Sequence, residues 1–154
     1  MTSSSSRNPG GKILMVDDNG NGLLARKSVL EELGHRVTIM SAPQEALDQF
    51  ASGRFDLVIT DFKMPRMNGV ELIVRLRKVD PGIPIILISG FTDALGLDEQ
   101  TTGADAVIQK SNHEVQHLIR AVNRLLRRPP SGSRKPPSSS APLGGTPTDR
   151  RKKA

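Results

Sequence analysis

The segment "MVDDNGNG", Met15–Gly22, is compatible with two different structures, and the choice between them decides the fold. Asp17, Asn19, Asn21 and Gly22 match the D-x-[DN]-x-[DN]-G opening of an EF-hand calcium loop, which would set the segment between two helices. Such a loop needs a glutamate at its twelfth position, and counting from Asp17 that position is Ser28. The residues before it, "KILMV" (12–16), form a short apolar run with branched side chains, the pattern of a buried strand and not of an entering helix. Asp17 and Asp18 are therefore expected at the carboxyl end of a strand. "NGNG" is expected to be a turn into a helix, with Asn or Gly near its cap.

The same alternation continues outward. Further strands are expected at "RVTIM" (36–40), "DLVIT" (56–60), "IPIILIS" (83–89) and "DAVIQ" (105–109). Between them "GLLARKSVLEELG" (22–34) reads as a helix ending at Gly34, suited to a left-handed cap. "APQEALDQFASG" (42–53) carries Pro43 where a first turn accepts it, and "NGVELIVRLRKV" (68–79) stops before Asp80-Pro81. A fourth helix near 94–102 is weakened by Gly96 and Thr101-Thr102. A fifth, about 113–127, sets Val115, Leu118, Ile119, Val122, Leu125 and Leu126 on one stripe. No internal repeat interrupts the pattern. Five strands alternating with five helices predict an α/β domain: a doubly wound, five-stranded parallel sheet covered on both faces.

Composition narrows the function classes. A chain of 154 residues allows one ordinary domain and little more. It has no Cys, hence no disulfide framework and no thiolate zinc site, and no apolar run long enough to span a membrane. With no apolar region behind "MTSSSSRNPGGK", a cytoplasmic location is expected. The net charge of +6 does not mark a nucleic-acid-binding body, because residues 11–128 hold 15 basic and 15 acidic side chains and the excess lies in Arg7 and in residues 129–154. Residues 1–10 and the Pro/Ser-rich basic segment 128–154 are expected to be disordered, flanking a folded unit at 11–127. The terminal "RRKK" has the charge to meet nucleic acid or anionic membrane, but no aromatics accompany it.

In open parallel sheets, ligands gather outside the carboxyl ends of the strands at the point where the strand order reverses. The expected strands end in Asp17-Asp18, Asp61, Ser89-Gly90 and Lys110. Carboxylates gathered there repel one another and imply a cation, and oxygen-only ligands favour Mg²⁺. A lysine and a hydroxyl beside such a site suit a phosphoryl group, and a carboxylate among them can attack phosphorus to form an aspartyl phosphate.

The ordered set "VDD" (16–18), "DFKMPRMNGVEL" (61–72), "ISG" (88–90) and "GADAVIQKS" (103–111) resembles the receiver domain of bacterial two-component response regulators, over about residues 11–127. The resemblance implies a flavodoxin-like receiver fold. It implies that Asp61 accepts phosphoryl from a sensor histidine kinase or a histidine phosphotransfer protein. Asp17, Asp18, Asp61 and the Lys63 backbone carbonyl would hold Mg²⁺, Ser89 and Lys110 would bind the phosphoryl oxygens, and Gly90 would leave room for their approach. Met64, Pro65 and Gly69 would shape the supporting loop. Switching would act on an unnamed protein effector, or through a homodimer, by the face of the fourth helix, fifth strand and fifth helix. Such a domain would catalyse only its own phosphorylation and dephosphorylation.

Two positions depart from the family pattern. The aromatic usual three residues before the lysine is Val107, and the chain has no Tyr or Trp, which leaves coupling to Phe91 or to the loop itself. The usual Lys-Pro is Lys110-Ser111, and a non-proline cis bond costs roughly 3 kcal/mol, so a trans bond is expected unless the site is strained. Alternatives from other classes are an adaptor whose basic tail binds nucleic acid or membrane, and a scaffold silent to phosphate. A phosphatase would need a D-x-D motif after a strand, whereas Asp61 is followed by "FKM". His113 and His117 share a helix-metal spacing without a third ligand, and Arg120, Arg124 and Arg127 form a basic stripe; both read as solvated surface.

Overall fold

A computed structural model describes residues 10–18, 20–90 and 96–127, apart from the Asn21 side chain; the expected tails at 1–9 and 128–154, and Phe91, lie outside the described residues. In chain order the elements are β1 (Lys12–Val16), α1 (Gly20–Glu32), β2 (Arg36–Met40), α2 (Pro43–Ser52), β3 (Leu57–Asp61), α3 (Gly69–Val79), β4 (Ile85–Ser89), α4 (Glu99–Thr102), β5 (Ala106–Gln109) and α5 (Glu114–Leu126). The strands form one parallel sheet in the order β2-β1-β3-β4-β5. The order reverses between β1 and β3, and this switch point puts their carboxyl ends side by side.

Burial follows the two-residue period of each strand. Ile13, Met15, Ile59, Ile86 and Ile88 face a core closed by Leu23 and Leu30 of α1 and by Leu118, Val122 and Leu125 of α5. Leu14, Val16, Val58 and Leu87 face the opposite core, closed by Ala46 and Phe50 of α2 and by Leu72, Ile73 and Leu76 of α3. With both faces covered, β1, β3 and β4 are apolar almost throughout, as expected for inner parallel strands.

The amino end of the sheet is locked by a polar clasp. Arg77, in the last turn of α3, donates to the carbonyls of Pro81, Ile83 and Gly103 and pairs with Asp105 at 3.0 Å. Asp105 in turn accepts from the Ile85 N–H at 2.8 Å, so the entries to β4 and β5 are tied together. The register this sets pairs Ser89 with Gln109 at the far end, where the two strands deliver Ser89 and Lys110.

Several sequence expectations shift. Helix α1 starts at Gly20, so Gly20–Gly22 are already its first turn and not a separate turn. Strand β4 starts at Ile85, because Pro84 has no N–H for the ladder. Strand β3 runs to Asp61, which pairs with Ile88. Within the expected fourth helix, residues 94–95 lie outside the described residues, and Gly96 has φ 65°, incompatible with an α-helix. Helix α4 is a single turn begun by a capping box between Asp98 and Thr101. Val115 is 37% exposed and leaves the α5 stripe, where Ala121 is buried instead. The Lys110–Ser111 bond is trans, as are all peptide bonds among the described residues.

The β1–β2 pairing depends on a buried histidine. Gly34, with φ 99°, turns the chain out of α1 and places His35 against the start of β1. There the Gly11 N–H donates to His35 Nδ1 at 2.9 Å, and the Arg36 N–H donates to the Gly11 carbonyl at 2.9 Å. Burial lowers the His35 pKa from its ordinary 6.5, so the folded state holds the ring neutral. Its contribution to stability is complete above pH 6.5, the unfolded value, and is lost as pH falls toward the depressed folded value. We expect the urea midpoint to fall between about pH 7 and pH 5.5 and the slope to flatten in His35→Asn, whose amide oxygen still accepts from Gly11. An equal slope in both proteins would remove His35 as its source.

Candidate functional site

Asp17, Asp61, Ser89 and Lys110 at the carboxyl rim are held by backbone hydrogen bonds beyond or at the ends of their strands. The Asp17 N–H donates to the Met40 carbonyl at 3.1 Å, the Phe62 N–H to Ile88 at 3.0 Å, and the Lys110 N–H to Ser89 at 2.9 Å. The side chains of Asp17, Asp61, Ser89 and Lys110 thus leave rigid, inner or paired backbone rather than free loops.

These anchors gather three acids: Asp17, Asp18 and Asp61 each offer a carboxylate oxygen, all within 4.8 Å of one another. Asp17 and Asp61 are buried and Asp18 is exposed, so the cluster is reached from one side. Asp61 Oδ1 accepts from the Phe62 N–H at 2.9 Å and Oδ2 from Lys110 Nζ at 3.2 Å. Burial, and next the charge of Asp17, raise the Asp61 pKa above the ordinary carboxylate value, against the pull of Lys110 and of the Phe62 N–H. A cleft of about 420 Å³ opens over this group, lined by Asp18, Asp61, Ser89, Gly90 and Lys110 together with Lys63, Met64 and Pro65. Crowded oxygen donors of like charge suit a hard divalent cation such as Mg²⁺, and a basic residue facing the same cleft suits an anion beside it.

Of the residues singled out in the sequence, Asp17 and Gly69 do not line the cleft. Gly69 acts on the loop. Its N–H donates to the Phe62 carbonyl at 2.7 Å, and a Cβ there would fall 2.4 Å from the Asp61 carbonyl oxygen. Only glycine lets α3 begin against the end of β3, with Asn68 and Glu71 closing a capping box over its first turn. The loop between carries Arg66 at φ 72°, a left-handed conformation that costs a non-glycine residue about 1 kcal/mol.

One participant escaped the sequence reading. Arg26 of α1 is 5% exposed; its Nη1 donates to Asp17 Oδ2 at 2.8 Å and its Nε to Glu114 Oε2 at 2.5 Å. Burial opposes its charge, but the bonds to Glu114 and Asp17 outweigh this and raise its pKa further. A signal was available: Arg26 stands in the stripe Leu23–Arg26–Leu30, where every other member is apolar core. His113 and His117 are exposed, as are Arg120, Arg124 and Arg127, in keeping with solvated surface.

Residues 13–123 match the family profile described as the response regulator receiver domain. The response regulator receiver protein CpdR of Brucella abortus is 26% identical over 75% of this chain and 96% of its own length. A gliding motility regulatory protein of Myxococcus xanthus is 31% identical over 74% of this chain, which spans only 15% of that protein. The chain likewise spans 33% of a receiver protein from Anaeromyxobacter, 38% identical over 51% of this chain. Among solved structures, the receiver domain of the Francisella response regulator 1452 superposes with a TM-score of 0.70 at 29% identity, covering 77% of this chain and 98% of that one.

The raised Asp61 pKa marks a carboxylate whose charge is costly to keep in the fold. Asp61→Asn retains the acceptor for the Phe62 N–H and removes that charge. At neutral pH with divalent cations chelated, we expect its melting temperature to exceed wild type by a few degrees, about 4 °C for each kcal/mol relieved. A lower melting temperature would mean that the Lys110 pair outweighs the repulsion.

Proposed function

The chain belongs to the response regulator receiver domain family, and from that premise we propose that it is a phosphorylation switch with Asp61 as the phosphoacceptor. The observation that carries this reading is the placement of Asp61: its carboxylate is buried, lies within 4.8 Å of the Asp17 and Asp18 oxygens, and meets Lys110 Nζ at 3.2 Å. In the transfer, an Asp61 carboxylate oxygen bonds to phosphorus while the P–N bond of a donor phosphohistidine breaks and the imidazole leaves. The donor is a sensor histidine kinase or a histidine phosphotransfer protein.

Asp17, Asp18, Asp61 and the Lys63 backbone carbonyl are the groups proposed to hold Mg²⁺. When bound, the ion supplies positive charge to the phosphoryl oxygens. Lys110, already aimed at Asp61, neutralises part of the same charge from the β5 side, and the Ser89 hydroxyl donates to a phosphoryl oxygen. Gly90 lines the cleft without a side chain of its own, which leaves room for the phosphoryl group to approach. Met64, Pro65 and Gly69 keep the acceptor loop in place. The domain is a signalling element, and its chemistry is confined to its own phosphorylation and dephosphorylation. Its output is a shift in affinity for a protein effector.

The proposed receiver unit is 11–127, acting in the cytoplasm; no helix among the described residues is long and apolar enough to cross a membrane. The test is intact mass after exposure to a small acyl phosphate. We expect wild type to gain one phosphoryl group only with Mg²⁺, and Asp61→Asn to gain none. A folded wild type that gains none under the same conditions would make the domain a scaffold silent to phosphate.

A further inference from the structure

The groups so far assigned do not account for Arg26. A fully buried guanidinium is costly unless its charge is paired, and here it is paired twice, to acids on different elements. Asp17 belongs to the acidic rim, whereas Glu114 is the first residue of α5. The fold makes room for this bridge at some cost. Gly22 lies in the first turn of α1, and glycine is a poor helix former. A Cβ at Gly22 would sit 3.1 Å from Arg26 Nη2 and 3.3 Å from its Cζ, close enough that the guanidinium would have to shift by a few tenths of an ångström. Gly22, the last residue of "NGNG", is thus the one whose size bears on the arginine.

We propose that Arg26 is a positioning residue that couples cation loading at the acidic rim to the first turn of α5, by sharing one guanidinium between Asp17 and Glu114. The inference rests on the reading of Asp17, Asp18 and Asp61 as a cation site. A divalent ion and Arg26 compete for the charge of Asp17, whose Oδ2 already takes the Nη1 hydrogen bond at 2.8 Å. Uptake of the ion weakens that bond and turns the guanidinium toward Glu114. By linkage, any change at Glu114 alters the affinity of the rim for the cation. Signs follow directly. Glu114→Gln removes the competing acid, leaves Arg26 more fully on Asp17, and weakens cation binding. Arg26→Met frees the charge of Asp17 and strengthens it.

The chain has no Trp or Tyr to report by fluorescence, so the experiment is a titration of the full chain with MgCl₂ followed by amide NMR. Rim amides (Lys63, Gly90) and α5 amides (Glu114, Val115) are read separately. In wild type both sets are expected to titrate with one midpoint. Glu114→Gln is expected to bind about fivefold more weakly, the low end of linked-site couplings. Arg26→Met is expected to bind more tightly, with rim shifts retained and α5 shifts lost, and the double variant to behave as Arg26→Met alone. Opposite signs separate coupling from general loosening, which would weaken both variants. If Arg26→Met does not fold, Arg26→Lys replaces it. Lysine keeps a charge but not the fork that spans two acids, so the α5 shifts should still be lost. Rim shifts with an unchanged midpoint in Glu114→Gln would overturn the coupling and leave the cation site standing. No rim shifts in folded wild type would overturn the cation reading and the coupling with it.

Discussion

Three carboxylates held within 4.8 Å of one another are the constraint around which the rest of the molecule is arranged. Like charges at such separations repel by several kcal/mol at the effective dielectric near a protein surface, about 4 kcal/mol at 4 Å. They stay together only because their backbones cannot move apart. Asp61 ends the central strand, β3, which is paired on both sides, and Asp17 prolongs the inner strand β1 through its bond to Met40. The apolar cores on both faces supply the rigidity, and two built-in cations reduce the repulsion, Arg26 at Asp17 and Lys110 at Asp61. A fold less well packed would relax the cluster and lose the site.

Position at the carboxyl rim is set as much at the amino end as locally. The Arg77–Asp105 clasp ties the entries of β4 and β5, so their exits carry Ser89 and Lys110 to adjacent points. His35 does the same for β1 and β2 by accepting from Gly11. At the rim itself Gly69 draws the start of α3 onto the end of β3, and Arg66 bears the conformational strain of the loop between. None of these residues lines the cleft. Each removes a degree of freedom from a residue that does.

Much of this was legible in the sequence because burial of inner parallel strands leaves a plain mark. "KILMV" and "RVTIM" give β1 and β2 to the residue, since polar or glycine neighbours bound them. "IPIILIS" overstates β4, because Ile83 is buried without being paired, and hydropathy cannot tell the two apart. Asp17, Asp18, Asp61, Ser89 and Lys110 emerge from asking only which residues end each strand. Arg26 and Glu114 did not emerge, because a charged side chain in a helix is read as solvated unless its partners are known. Those partners lie 9 and 88 residues away in sequence. Val115 failed for the converse reason: it keeps helical phase with the core, but at the first turn of α5 nothing packs over it closely enough to bury it.

Val107 stands where the family pattern has an aromatic ring, and its contacts are of another kind. The Val107 N–H is held by Glu99 Oε2 at 3.2 Å, a polar clasp between α4 and the outer edge of β5. The segment that follows is tethered at both ends to rim charges: Lys110 to Asp61, and Glu114 through Arg26 to Asp17. Between the tethers, Ser111 accepts from the N–H groups of His113 and Glu114, so the connection from β5 to α5 is a compact unit. Under the coupling proposed above, a change of charge at the rim would pull on this unit through Lys110 and through Arg26. Coupling of this kind needs no rotating ring. It needs a short, internally bonded segment whose two ends answer to carboxylates of one cluster, Asp61 and Asp17, and that is how residues 110–114 are built.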